Sequence, residues 1–426
     1  MRFLPFVLAL PLLAASAEIP EQLSLRQALD LALKNSATLR RAAAQLQQAE
    51  AQSAQAHSQL LPQVNVAAYD TLQTVNLRAM GIDVPLLPAR VGPFQVVDAR
   101  AYLSQNVLNL PVRDRDRAAR EQTRSVAALA GNARELLALQ VGSTFAQALR
   151  AQSSLQTLER QLELARKLHQ ITQDRLDAGV ASRLEATRSL QQVNNLAQAV
   201  EEARHQATAA KLQLANLLNA RITSSYTLVD EPAAAPEVSS NAVVQALEAR
   251  PDYRAALARI KAAEFQVSAA RRQRYPVIQF RADYGQSGRK PFENLNTFHL
   301  QGILNVPIYT GGRIEAEIAE AQARVNEARA TADEIRSQVE TDVLTAVAAT
   351  QAAQRELDIA RSGVKLAAEE LDLASARFTS GVADNTEIVN AQDRLARAED
   401  NVVRAAYNRD LALTQLRRAL GLGGQS

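Results

Sequence analysis

Along residues 137–217, and again along 314–378, apolar positions recur in steps of four and three. Leu137, Val141, Thr144, Ala148, Ala151, Leu155, Leu158, Leu162 and Ala165 keep that beat in one segment, and Val193, Leu196, Val200, Ala203, Ala207, Ala210, Leu214 and Leu217 keep it in the next. Ile314, Ile318, Ala321, Val325, Ala328, Ala332, Ile335 and Val339 repeat it, and from Ala353 to Phe378 it continues displaced by one position. A hydrophobic repeat near 3.5 residues predicts helices that pack as coiled coils, and alanine at so many seam positions lets their axes approach closely. Few helix breakers stand between Pro111 and Gly179, so a helix of about 60 residues, roughly 90 to 100 Å long, is expected there.

Between these segments the pattern changes to strict alternation. Val64, Val66 and Ala68 alternate with Gln63, Asn65 and Ala67, and Ile278, Phe280, Ala282 and Tyr284 with Gln279, Arg281 and Asp283. Phe298, Leu300, Gly302, Leu304 and Val306 alternate with His299, Gln301 and Asn305. A period of two predicts short strands with one apolar and one polar face, four in all, with a less regular register near 95–110. Pro62 and Pro276 end the helices before the two hairpins, and Pro111 and Pro307 close the strands after them. Gly311 and Gly312 suit a bend from strand into helix.

The two halves are alike. Leu33, Arg40, Glu50 and Pro62 meet Leu247, Arg254, Glu264 and Pro276 at an offset of 214, and VLNLPV meets ILNVPI at 196. RLDAGVASRLEATRSLQ, from Arg175, meets RFTSGVADNTEIVNAQ, from Arg377, at 202. Three collinear matches predict a duplication: a first repeat over 18–225, a linker rich in Pro, Ser and Ala over 226–240, and a second repeat over 241–426. Each repeat reads as helix, hairpin, very long helix, glycine turn and long helix. The first carries about 18 more residues between its first two blocks, within 71–93.

Residues 1–17, MRFLPFVLALPLLAASA, have the basic start, apolar core and small-residue end of a secretory signal peptide. The chain has no cysteine, hence no disulfide, thiolate metal site or lipidated cysteine. Forty-eight basic residues against 45 acidic ones, scattered along helix faces, exclude a nucleic-acid partner. No later apolar run approaches the ~18 residues of a membrane-spanning helix, so a chain that crosses a bilayer has to do so as a barrel. Four strands cannot close one, since about eight is the practical minimum. Several copies in a ring would share the barrel, and their helices would continue it as a tube. The competing expectation is an exported periplasmic coiled-coil structural protein whose hairpins pack as a soluble sheet; fractionation with the outer membrane separates the two.

Candidate chemistry is sparse. His57, His169, His205 and His299 are isolated, so no metal site is predicted. YTGGR lacks the Gly-Lys-Ser/Thr ending of a phosphate loop. With every acid expected on an exposed helix face, no catalytic constellation and no cofactor is predicted, and the chain is not expected to be an enzyme.

The order of elements, the duplicated NSATLRRA and RPDYRAA, the LNLPV and LNVPIYTGGR junctions and the RFTSGVADNTEIVNAQ turn resemble the TolC-like outer-membrane efflux protein family over nearly the whole chain. The resemblance implies a mostly α protein with a small β part, in which three chains form a 12-stranded outer-membrane barrel above a helical tunnel through the periplasm. It implies passive export of drugs, metals or proteins, in a tripartite efflux or type I secretion system, with a periplasmic adaptor (membrane fusion) protein and an inner-membrane transporter as partners. The hairpin tips, with Arg175, Gly179, Val180, Arg377, Gly381 and Val382, are then the periplasmic entrance and adaptor-docking ends. Pro111, Pro307, Gly311 and Gly312 mark the strand-helix junctions.

Glu387 falls on a family position whose carboxylates narrow the entrance and select cations, and Glu185 aligns with it in the other repeat. A second acidic position is Asn390 here and a closing basic residue is Ala383, so another contact has to hold the entrance; Arg183 is the expected partner of Glu387.

Overall fold

The computed structural model describes residues 18–82, 84, 88–231, 236–289, 294–380, 382 and 385–423. The expected leader over 1–17, Gly381 and Ala383 lie outside the described residues.

The chain opens with β1 (Gln22–Leu23), α1 (Leu25–Asn35) and α2 (Ala37–Ser58), followed by β2 (Gln63–Asn76), β3 (Arg90–Leu108), α3 (Leu110–Asp177) and α4 (Arg183–Leu217). After β4 (Thr227–Leu228) the order recurs: α5 (Ala242–Ala249), α6 (Pro251–Arg272), β5 (Val277–Gly288), β6 (Asn294–Asn305), α7 (Arg313–Thr379) and α8 (Asn385–Ala419). The leading helix of each half, expected as one, is two. The Ser36 N–H bonds the Ala32 carbonyl to close α1, while its hydroxyl accepts from the backbone N–H groups of Thr38 and Leu39 to cap α2. At the equivalent break, the Arg250 N–H bonds the Ala246 carbonyl and Pro251 takes the first position of α6, where a missing N–H leaves no bond unmade.

The long helices exceed expectation: α3 has 68 residues and α7 has 67. Gly142 interrupts neither pattern nor helix. The strands are also longer than their short alternating cores suggest, 14, 19, 12 and 12 residues for β2, β3, β5 and β6. They form one antiparallel sheet in the order β2-β3-β5-β6, so the hairpins of the two halves lie side by side through the β3–β5 pair. Pro111 does not close a strand; it stands in the first turn of α3.

By compactness the chain divides into two units. One comprises Met1–Ala43, Leu129–Tyr253 and Arg336–Ser426. Its core gathers Leu23, Leu137, Val141, Phe145, Leu214, Leu218, Tyr226 and Leu228. Part of the expected linker is ordered there. β4 pairs in parallel with β1, and the Gln152 side chain completes the edge, donating to the Leu228 carbonyl (3.0 Å) and accepting from its N–H (3.1 Å).

The other unit comprises Ala44–Ala128 and Arg254–Ile335 and contains the sheet. Its helices pack through Ala263, Val267, Ala270, Ala321 and Val325. The expectation that every acid is exposed fails here. Asp114 is fully buried, accepting from Ser268 Oγ (2.5 Å) with Arg272 Nε at 3.1 Å and Arg117 Nη1 at 3.4 Å, and Asp116 and Glu121 are buried beside arginines. A helix packed on more than one side has no face reserved for solvent, and the buried carboxylates are paired, as burial requires.

Candidate functional site

The two faces of the sheet differ in chemical character along their central rows, although Asp70 and Gln95 pair on the mostly apolar face and Leu295 stands on the mostly polar one. Register sets Val64, Leu103, Ala282 and Leu300 in one row, and Val66, Ala101, Tyr284 and Phe298 in the next. Apolar side chains on this face are uncovered: Val66 is 76% exposed, Leu72 72%, Phe298 73% and Leu300 63%. On the opposite face the rows read Ala67, Arg100, Gly285 and Asn65, Tyr102, Asp283, His299. Arg100 holds two carboxylates, with Nε 2.7 Å from Asp98 Oδ1 and Nη1 2.7 Å from Asp283 Oδ1, and His299 Nδ1 lies 3.6 Å from Asp283. β2 and β6 are the edges, each paired on one side only.

Below β6, Pro307 precedes Ile308 and Tyr309, which are 96% and 90% exposed. Gly311 and Gly312 follow with φ of 61° and 81°, a left-handed pair that turns the chain into α7. Arg313, first in that helix, donates to Gln273 (3.0 Å) and pairs with Glu317, fixing the turn against the end of α6. The Gln273 amide, ahead of the Arg313 charge, holds the Glu317 carboxyl below its ordinary range.

The turn after α3 is a Schellman motif. Gly179 has φ 75°, its N–H bonds the Leu176 carbonyl, and the Val180 N–H reaches the Arg175 carbonyl at 2.9 Å. The Val382 N–H bonds the Arg377 carbonyl at the same spacing after α7. Arg175 joins the two turns: its guanidinium lies 4.3 Å from the Phe378 ring centroid and Nη1 donates to the Phe378 carbonyl at 3.2 Å. Phe378 is buried with Ala374, Ile388 and Ala391, and Leu168 packs against them. Val180 and Val382 are exposed.

The predicted entrance acids part company. Glu387 Oε1 lies 3.4 Å from Arg377 Nη1. Arg183, its expected partner, is exposed on the first turn of α4. Glu185 instead caps its own helix. Its carboxylate accepts from the Ser182 N–H (2.8 Å) while the Ser182 hydroxyl accepts from the Glu185 N–H (3.2 Å), a capping box on α4. Asn390 is exposed one turn beyond Glu387.

Sequence reasoning did not find the Arg377–Glu387 pair, the Arg175–Phe378 stack or the Arg100 cluster. The matching arginines at 175 and 377 were the available signal for the first two; Gly285, interrupting the alternation of β5, was the signal for the third.

Among the described residues no helix is long and apolar enough to cross a membrane, and no three His, Asp or Glu side chains stand together as metal ligands.

A model of the family described as outer membrane efflux protein matches residues 28–220 and 242–422. The chain belongs to that family. Outer membrane protein OprJ of Pseudomonas aeruginosa is 31% identical over 181 residues, which cover 42% of this chain and 38% of OprJ. The pyoverdine export outer membrane protein OpmQ of the same organism is 26% identical over 424 residues, 93% of this chain and 85% of OpmQ. Among solved structures, the outer membrane protein VceC of Vibrio cholerae superposes with a TM-score of 0.81 at 22% identity, over 93% of this chain and 96% of VceC. The CmeC outer membrane channel of Campylobacter jejuni gives 0.82 at 19% identity, over 94% and 86%. The fold is thus the TolC-like one, and the chain is a member of the outer membrane efflux protein family.

Proposed function

We propose that three copies of this chain form the exit duct of an efflux assembly. The sheet, with an uncovered apolar face and two edges paired on one side only, is the observation that carries this. In lipid, unpaired edges leave backbone groups without partners, at several kcal/mol each. Joining β6 of one copy to β2 of the next removes every edge, and three copies supply 12 strands, an ordinary barrel size. A second stripe on α7 favours the same assembly: Ile359, Leu366 and Leu373 recur at seven-residue spacing and are 73%, 64% and 68% exposed. A soluble periplasmic rod would have to cover the sheet's apolar face with its own helices.

In this reading the chain is two structural repeats, 18–225 and 241–426, joined at 226–240, and has no catalytic step. An inner-membrane transporter and a periplasmic adaptor deliver cargo, and the adaptor meets the tips around Arg175, Gly179, Val180, Arg377, Gly381 and Val382. Glu387 is the entrance carboxylate. Arg377 takes the role expected of Arg183, holding Glu387 within its own hairpin. Three Glu387 carboxylates around the axis attract cations and repel one another.

Conductance of the purified chain in planar bilayers tests the reading. Discrete, cation-selective openings are expected, with selectivity weakened in Glu387→Ala. A chain that stays in solution without detergent and never inserts would sink the duct.

A further inference from the structure

We propose that the duct has a second determinant of ion selectivity on the polar face of its sheet, set by Arg100; this rests on reading that face as the lumen. Arg100 is built into the wall. It stands directly opposite Gly285, which is buried, and a Cβ there would collide with the Ala99 carbonyl oxygen and the Arg100 side chain and lie 2.7 Å from Arg100 Cα. The missing side chain is the notch through which the guanidinium crosses from β3 to Asp283 on β5 while keeping Asp98 on its own strand. Its side chain is 19% exposed and those of Asp98 and Asp283 are 23% and 16%, so the three are held at the wall and still meet water.

The consequence is electrostatic. The charged and titratable side chains sharing this face with the cluster are Tyr69 on β2, Tyr102 on β3, Arg281 on β5 and His299 on β6. The two carboxylates of Asp98 and Asp283 and the two guanidiniums of Arg100 and Arg281 cancel. Removing the Arg100 charge leaves each chain one negative charge at that height, and a closed ring of three chains leaves three. Fixed wall charges act over about one Debye length, about 10 Å at 0.1 M salt and about 3 Å at 1 M. Arg100 therefore keeps the barrel from adding its own cation preference to that of the entrance.

The test is the reversal potential of the trimer in potassium chloride gradients. Arg100→Gln is expected to raise the potassium-over-chloride permeability ratio by about twofold or more near 0.1 M and much less near 1 M. Arg100→Lys keeps the charge and the wild-type ratio. Asp98→Asn lowers the ratio, and carries the test by itself if Arg100→Gln does not assemble. Wild-type ratios in both Arg100→Gln and Asp98→Asn, beside a shifted ratio in Glu387→Ala, would overturn the proposal and leave the duct standing. Absence of conductance in the wild-type chain would instead overturn the duct and this proposal with it.

Discussion

Asp114 is a fully buried carboxylate held by Ser268, Arg272 and Arg117. Asp114→Ala strands Arg272, which is still a third exposed, so the loss falls at the low end for a broken buried pair, about 3 kcal/mol. A drop in thermal midpoint, smaller for Asp114→Asn, checks this. Two other carboxyls give opposite pH responses. Burial pulls Asp252 upward, but the Arg250 hydrogen bond and the Arg250 and Arg418 charges outweigh it and hold it below the ordinary range. Its contribution to stability is full above the ordinary carboxylate value and is lost as pH falls through the depressed one. Burial raises Asp410, outweighing Arg409, with Asp230 adding to the rise. Its contribution is present below the ordinary value and is lost as pH rises through the raised one. At neutral pH, Asp410→Asn is therefore expected to raise the melting midpoint and Asp252→Asn to lower it, in circular dichroism melts. None of these environments was legible in the sequence, because heptads mark one seam and say nothing of which other helix covers the remaining faces.

At the scale of elements the sequence was more explicit. Seam residues it marked, among them Val141, Ala148, Val200, Leu214, Val325, Val339 and Leu357, are buried. The glycine of the α3 turn was legible for the same local reason, since a left-handed φ of 75° is strained for any side chain whatever the fold around it. A Cβ at Gly179 would meet nothing, so Gly179→Ala is expected to cost only the conformational strain, about 1 kcal/mol, with Gly179→Asn milder. Ser182→Ala removes the α4 cap for about 1 kcal/mol. Both show as faster amide exchange confined to the tip, with the four-stranded sheet unaffected. Strand lengths and the helix breaks at Ser36 and Arg250 were not legible. Strand ends are extended by ladder bonds to a neighbour, and the breaks depend on bonds that form only where the chain turns.

On the scale of the whole molecule, the apolar face of the sheet predicts a depth-dependent intolerance to charge. Leu300→Lys, on the uncovered face of β6, is expected to cost about 2 to 4 kcal/mol if it sits near the bilayer midplane. Failure of the proposed trimer to assemble in detergent checks it, whereas Gln301→Lys, on the polar face, should assemble. The sequence by itself determined the periods, 3.5 for the helices and 2 for the strands, the tandem recurrence of elements, and thus which residues share a face. Those follow from backbone geometry, which is local. Only the tertiary structure decided that β3 pairs with β5, that Arg100 crosses Gly285 to reach Asp283, that Glu387 faces Arg377, and that Asp114 is buried. Each of these depends on which element lies beside which, across the sheet, between packed helices or across a hairpin turn, and no periodicity along one segment records its neighbour.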